Sequence, residues 1–170
     1  MAKKLRKGES LSLAVNKALA KDFAKYKRKV EIKVANRFKV LASEIAPDGV
    51  REKTGKKLRN ILLDLKIRTD SSRSGINVNF DKSTRTVKIY LVTNSDSENS
   101  LINWTNYGTG VYGPKGRPIR PKTKPFLAWK DENGVWHRAK EVAGQPGKHY
   151  LREAGEQLEK EINSGRFNKG

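Results

Sequence analysis

The chain predicts an α+β fold: a small antiparallel sheet with a long N-terminal helix and a short C-terminal helix packed against it. Three observations lead there. Apolar residues recur at helical spacing from Leu11 to Ile45. Between residues 75 and 93 they alternate with polar ones, the period of a strand with one face buried. Near the end of the chain Leu151, Ala154, Leu158 and Ile162 return to one helical face.

Taken in order, residues 1–8 are a basic flexible tail carrying Lys3, Lys4, Arg6 and Lys7. No apolar run follows these charges, which reads against a secretory signal. Residues 9–46 are expected to form one long helix, an arm or a packing helix. Ser10 is placed to cap it, and Pro47 with Gly49 to stop it. Its apolar positions are Leu11, Val15, Leu19, Phe23, Tyr26, Val30, Val34, Phe38, Leu41 and Ile45. Several of them step by eleven, which suits a nearly straight helix better than a heptad supercoil. About 36 such residues would run roughly 54 Å at ~1.5 Å each. Either the helix breaks, or part of its stripe packs on a neighbouring subunit, or it bends and packs within the chain.

Residues 47–170 form the α+β core of what is one structural domain overall. A turn is expected at Thr54-Gly55, then a short helix or strand entry up to Leu63. Strand-like runs follow at 64–69, 75–80 and 85–93, with 81–84 as the hairpin turn between the last two and 94–100 as a polar loop. Asn133-Gly134 is a strong turn signal inside a hairpin at 126–142. A four-residue loop, 131–134, would set Trp129 opposite Trp136; a tighter loop would pair Trp129 with Arg138. The C-terminal helix spans 150–164 and Gly165 closes it.

Catalytic chemistry finds little support. Gly108-Thr109-Gly110-Val111-Tyr112-Gly113 has the spacing of a dinucleotide loop, but Pro114 and Pro118 follow where that loop needs a helix. Thr54-Gly55-Lys56 fails as a P-loop, because its upstream glycine, Gly49, is misplaced and Lys57 stands where Ser or Thr must be. The chain has no cysteine, and its two histidines, His137 and His149, lie in no ligand motif. No nucleophile or general acid/base motif is recognisable. The expectation is a protein that is not an enzyme, with no catalytic residue, metal or cofactor. No apolar run reaches the length of a membrane span, so no membrane partner is expected.

Charge is the sharper signal. Lys and Arg number 37 against 18 Asp and Glu, a formal charge of +19. Such a balance attracts polyanions or acidic protein surfaces. Lys115, Arg117, Arg120, Lys122 and Lys124 fall in the basic loop 113–125 with no acid among them, and Pro114, Pro118, Pro121 and Pro125 keep that loop extended. With Tyr107, Trp129 and Trp136 these residues are the candidate protein interface or DNA-channel surface. The partner is phosphate backbone or an acidic protein ring; the bland alternative is a solvated loop. The long helix adds Lys17, Lys21, Lys25, Lys27, Arg28, Lys29, Lys33, Arg37 and Lys39. Few aromatics interleave with them, so any DNA contact would be to backbone, without sequence choice.

A set of short motifs then appears in a fixed order: Thr54-Gly55-x-x-Leu58-Arg59, Asn106-Tyr107-Gly108-Thr109-Gly110, Pro118-Ile119-Arg120-Pro121, Phe126-Leu127-Ala128-Trp129, a strand from Val135 to Val142, Gly144-Gln145-Pro146-Gly147 and Tyr150-Leu151-Arg152-Glu153-Ala154. This order resembles the neck and tail-component family typified by gene product ten of lambdoid tailed phages. The similarity covers roughly residues 50–160. The basic N-terminal extension and the length of the 113–125 loop depart from the family pattern. The resemblance implies a virion structural protein, assembled in the host cytoplasm, for head–tail joining, tail completion or tail termination. It implies a homo-oligomeric ring, a hexamer in preference to a dodecamer, between the head connector or stopper and the tail tube, with genomic DNA passing through the lumen. The rival expectation is a stand-alone, non-sequence-specific DNA-binding protein; a weaker one is a nuclease.

Overall fold

The computed structural model describes residues 10–48, 56–68, 75–92, 100–131 and 133–169. The fold is α+β, as expected. It begins with a strand, however: β1 is Ser10–Ala14, and the long helix α1 starts only at Lys17 and runs to Ile45. Leu11, Leu13 and Val15 alternate with Ser12 and Ala14, and Leu13 and Val15 are buried while Ser12 and Ala14 are exposed. That period of two defeats the helical reading of 9–16. Ser10 is therefore not the helix cap. Asn16 is: its Oδ1 accepts the Leu19 amide at 2.9 Å, and its Nδ2 donates to the Ile162 carbonyl at 2.6 Å. The far end is as expected, with Ala46 as C-cap just before Pro47.

The helix neither runs straight nor leaves its stripe for a neighbour. Tyr26, at φ −130° and ψ 42°, breaks the helical geometry. The bend turns Tyr26 outward, the one residue of the predicted stripe that is exposed. Leu19, Phe23, Val30, Val34, Phe38 and Leu41 are buried within the chain.

Two short helices, α2 (Leu58–Leu63) and α3 (Ser100–Tyr107), pack beside each other, α2 also lying on α1. The run at 64–69 is not a strand. Leu65 is buried, and Ile67 makes a single parallel bridge to Ile76. Thr69, the Thr54-Gly55 turn, the tail 1–8 and residues 94–99 of the expected loop lie outside the described residues; Ser100 already belongs to α3.

β2 (Gly75–Asp81) and β3 (Thr86–Val92) form the expected hairpin, and the sheet has the order β1-β3-β2, all antiparallel. Val87 and Ile89 on β3, with Ile76 and Val78 on β2, point into the core. The turn is 82–85, one residue later than predicted, because Asp81 still pairs with Thr86. Asp81 organises it: Oδ1 accepts from the Ser83 hydroxyl at 2.6 Å, the Ser83 amide at 3.0 Å and the Thr84 amide at 3.3 Å.

The Ser83 hydroxyl, then the turn amides, hold the Asp81 carboxyl well below its ordinary value, at about 2. The folded value is depressed, so the bonds contribute fully above the unfolded value of about 4 and are lost as pH falls through about 2. A carboxyl NMR titration is expected to give Asp81 a midpoint near the lower value, with the Ser83 and Thr84 amides shifting in step. A midpoint near the unfolded value would refute the arrangement.

The C-terminal helix α4 (Tyr150–Asn163) closes the core, burying Leu151, Ala154, Leu158 and Ile162 as predicted. It lies on β1, with Gly155 against Leu11 and Leu13, and on α1, to which a bidentate pair joins it: Arg37 donates to Glu161 at 2.5 and 2.7 Å. Ser164 is the C-cap of α4, and Gly165 takes the left-handed conformation that follows. Among the described residues no helix is long and apolar enough to cross a membrane.

Candidate docking site

Two glycine-bearing segments, 106–111 and 143–149, fit against each other at the edge of the body. The Thr109 amide donates to the Gln145 carbonyl at 2.8 Å, and the Val111 amide to the Ala143 carbonyl at 2.7 Å. In return Gln145 donates to the Thr109 hydroxyl at 2.9 Å, and Lys148 and His149 donate to the Thr105 and Asn106 carbonyls. The backbones approach so closely that side chains do not fit. A Cβ on Gly147 would lie 2.5 Å from the Asn106 carbonyl oxygen and 2.7 Å from the Gly108 amide nitrogen. Gly110, at φ 62°, and Gly144, at φ 91°, press against each other's segment in the same way.

Asn106 ties this interlock to the body. It is 2% exposed, and its Oδ1 accepts the Leu151 amide at 3.0 Å. The helix's own N-cap, His149, sits at φ 54° with no side-chain capping bond. Asn106 therefore caps α4 from the other segment. Burial pushes the Tyr150 phenol well above its usual value, and its hydroxyl donates to the Ile102 carbonyl at 3.4 Å. Nothing in the sequence alone showed that Asn106-Tyr-Gly-Thr-Gly and Gly144-Gln-Pro-Gly are two halves of one clamp.

Between the halves the chain makes an arm. From Val111 to Val142 no described residue is buried. Near its base Ile119 and Val142 exchange both backbone bonds, at 2.9 and 3.0 Å, and Arg120 pairs with Glu141 at 2.8 Å. The predicted extended strip is interrupted: Gly113 to Gly116 close a tight turn, with Gly116 at φ 60°. Lys115, Arg117, Lys122 and Lys124 are exposed as expected, with no ion-pair partner among the described residues. Arg120 differs, since Glu141 offsets its charge. Tyr107 is not on this surface; it ends α3, partly buried, at the clamp.

The tip is the hairpin β4 (Leu127–Lys130) and β5 (Trp136–Ala139). Its register matches neither expectation. Trp129 faces His137, and Lys130 faces Trp136, across the five-residue loop 131–135. Asp131 lengthens the loop by one residue: its Oδ1 accepts the Asn133 and Val135 amides, both at 2.9 Å, and its Oδ2 meets His137 Nε2 at 2.9 Å. The His137 bond, then that of Val135, holds the Asp131 carboxyl below its ordinary value. Trp129 stacks on His137 at 5.5 Å, and Lys130 lies over Trp136 at 5.4 Å.

The two tryptophans thus lie on opposite faces of the hairpin, instead of pairing. Trp129 is 41% exposed and Trp136 is 65% exposed. Phe126 and Val135 in the hairpin segment, and Ile119, Val111 and Tyr112 nearer the base of the arm, are exposed as well. The hairpin strands pack extensively only on each other. A lone two-stranded hairpin is marginal in water, and exposed Trp, Tyr and Arg are what protein interfaces use as anchors.

The described residues contain no group of three or more His, Cys, Asp or Glu placed to hold a metal ion. A shallow cleft between α1 and α4 is lined by Lys33, Arg37, Glu161, Arg166 and Phe167, and the Arg37–Glu161 pair stands in it. No protein-family model matches the chain, and neither a curated protein nor a solved structure does.

Proposed function

We propose that this chain is a structural protein of a tailed-phage neck, without catalytic activity. It joins the head connector or stopper to the tail tube, as a tail completion or terminator component. It works as a homo-oligomeric ring around the DNA channel, a hexamer in preference to a dodecamer. The motif order carried by Asn106–Gly110, Gly144–Gly147 and Tyr150–Ala154 suggests the family, and one structural observation supports the docking role. It is the arm 111–142, clamped at its base and with no described residue buried, which carries a tryptophan on each face of its hairpin and Lys115, Arg117, Lys122 and Lys124 exposed on its basic loop. The mechanism is geometric: the clamp fixes where the arm leaves the body, and the arm reaches a neighbouring subunit or the connector.

The test is assembly. Arg117→Glu with Lys122→Glu and Lys124→Glu leaves the Arg120–Glu141 pair in place and reverses the exposed charge. Heads and tails are expected to accumulate unjoined in cells supplied only with that variant. Trp136→Ala is expected to weaken docking by about 2 kcal/mol, a typical anchor loss, or roughly 30-fold in affinity. Normal infectious particles from both variants would overturn the reading. The solution mass of the purified protein tests the ring order.

A further inference from the structure

The N-terminal half of α1 carries a charged face that the docking role does not use. Lys17, Lys21 and Lys25 are exposed, and their spacing of four keeps them on one side of the helix ahead of the break at Tyr26; Arg28, beyond the break, is exposed as well. That side is opposite Leu19 and Phe23, which face the core. The three lysines span about 12 Å of helix, one every ~6 Å. Lys29 flanks them. Between residues 17 and 29 the single acid is Asp22. Lys17, Lys21 and Lys29 have no ion-pair partner among the described residues, and the face ends where Lys27 and Arg28 meet Glu31 at 3.9 and 3.5 Å.

We infer that this face, through Lys17, Lys21 and Lys25, binds the phosphate backbone of duplex nucleic acid. Three features favour that partner. The small residues Ala18 and Ala24 lie among the cations, so there is no large apolar anchor of the kind a protein interface needs. Tyr26, an exposed aromatic of this segment, sits under the Lys25 ammonium at 5.0 Å, and among the described residues no second ring stacks with it as a platform for unpaired bases. An evenly spaced row of compact ammonium charges gains its affinity from counterion release, which depends on the number of cations and on no particular base. The arm differs in kind, since its hairpin also exposes two tryptophans, Trp129 and Trp136. The inference rests on the neck reading only for the source of the duplex, the genome passing the ring.

The experiment uses the full-length protein and a fluorescent 20-base-pair duplex of arbitrary sequence, titrated at several salt concentrations. Lys17→Gln/Lys21→Gln/Lys25→Gln leaves Arg28, and so the Glu31 pair, intact. Glutamine keeps the helix propensity, and an unchanged far-ultraviolet spectrum and melting temperature confirm folding. The slope of log K against log salt is expected to shallow by about 2.7, from 0.9 per phosphate contact removed. Arm neutralisation, Lys115→Gln/Arg117→Gln/Lys122→Gln, is expected to leave most of the slope in place. An unchanged slope in the α1 variant, or loss confined to the arm variant, overturns the assignment. So does equal affinity for polyglutamate at matched charge, which would mark an acidic-protein surface. Particle assembly, scored separately with the arm variants, shows whether the neck reading stands when this one fails.

Discussion

Phe23→Ala is expected to lower the free energy of unfolding by about 3–5 kcal/mol, as other buried Phe→Ala changes do. For a chain of this size that is a fall of about 10 °C in melting temperature. Phe23 is 1% exposed and stacks on Phe80 of β2 with ring centroids 4.6 Å apart, so it ties the first half of α1 to the sheet. The second half is held by other means: Val34, Phe38 and Leu41 in the core and Arg37 on Glu161. The interruption at Tyr26 separates the halves, and the loss is expected to be unequal. Amide exchange should quicken more across 17–25 than across 30–45. Uniform quickening would show that α1 behaves as one rod and that the bend has no mechanical role.

Gly147→Ala is expected to cost about 3 kcal/mol or more, the strain of forcing backbone apart in a packed site. Gly134→Ala is expected to cost only about 1–2 kcal/mol. The comparison separates two reasons for glycine. Gly134 has φ 78° and open space around it, so alanine meets only conformational strain there. Gly147 has no left-handed backbone, but its missing Cβ makes room for Asn106, Tyr107 and Gly108. Opening that contact also draws Asn106 from the Leu151 amide, so the start of α4 is expected to lose protection along with Thr109 and Val111. If both variants melt alike, the clamp does not bear on the stability of the body.

The sequence declared most clearly those elements whose signal is local. The β2–β3 hairpin and the buried face of α4 each follow from one uninterrupted period. β1 was hidden because Leu11 and Val15 satisfy a helical step of four as well as a strand step of two, and only Asn16 marks the change. α3 was missed because Trp104, Asn106 and Tyr107 read as the approach to a glycine turn. The hairpin register turned on Asp131, whose carboxylate gathers two amides and a histidine and makes the loop longer than Asn133-Gly134 suggests. For the candidate site, exposure of the basic loop followed from its charges and prolines. Its anchorage did not, because the clamp joins residues some forty positions apart, and glycines advertise a close approach without saying to what.

The clamp has a consequence for change over time. The chain leaves the body at Val111 and re-enters it at Ala143, two residues joined by a 2.7 Å hydrogen bond. The entropy of bringing those ends together is met by the clamp itself, and each doubling of the intervening length adds only about 0.6 kcal/mol. The body is therefore a socket. Excursions of other lengths and charges can be grafted between its two contacts while helices and sheet keep their registers, so recognition can drift in a lineage whose scaffold stays fixed.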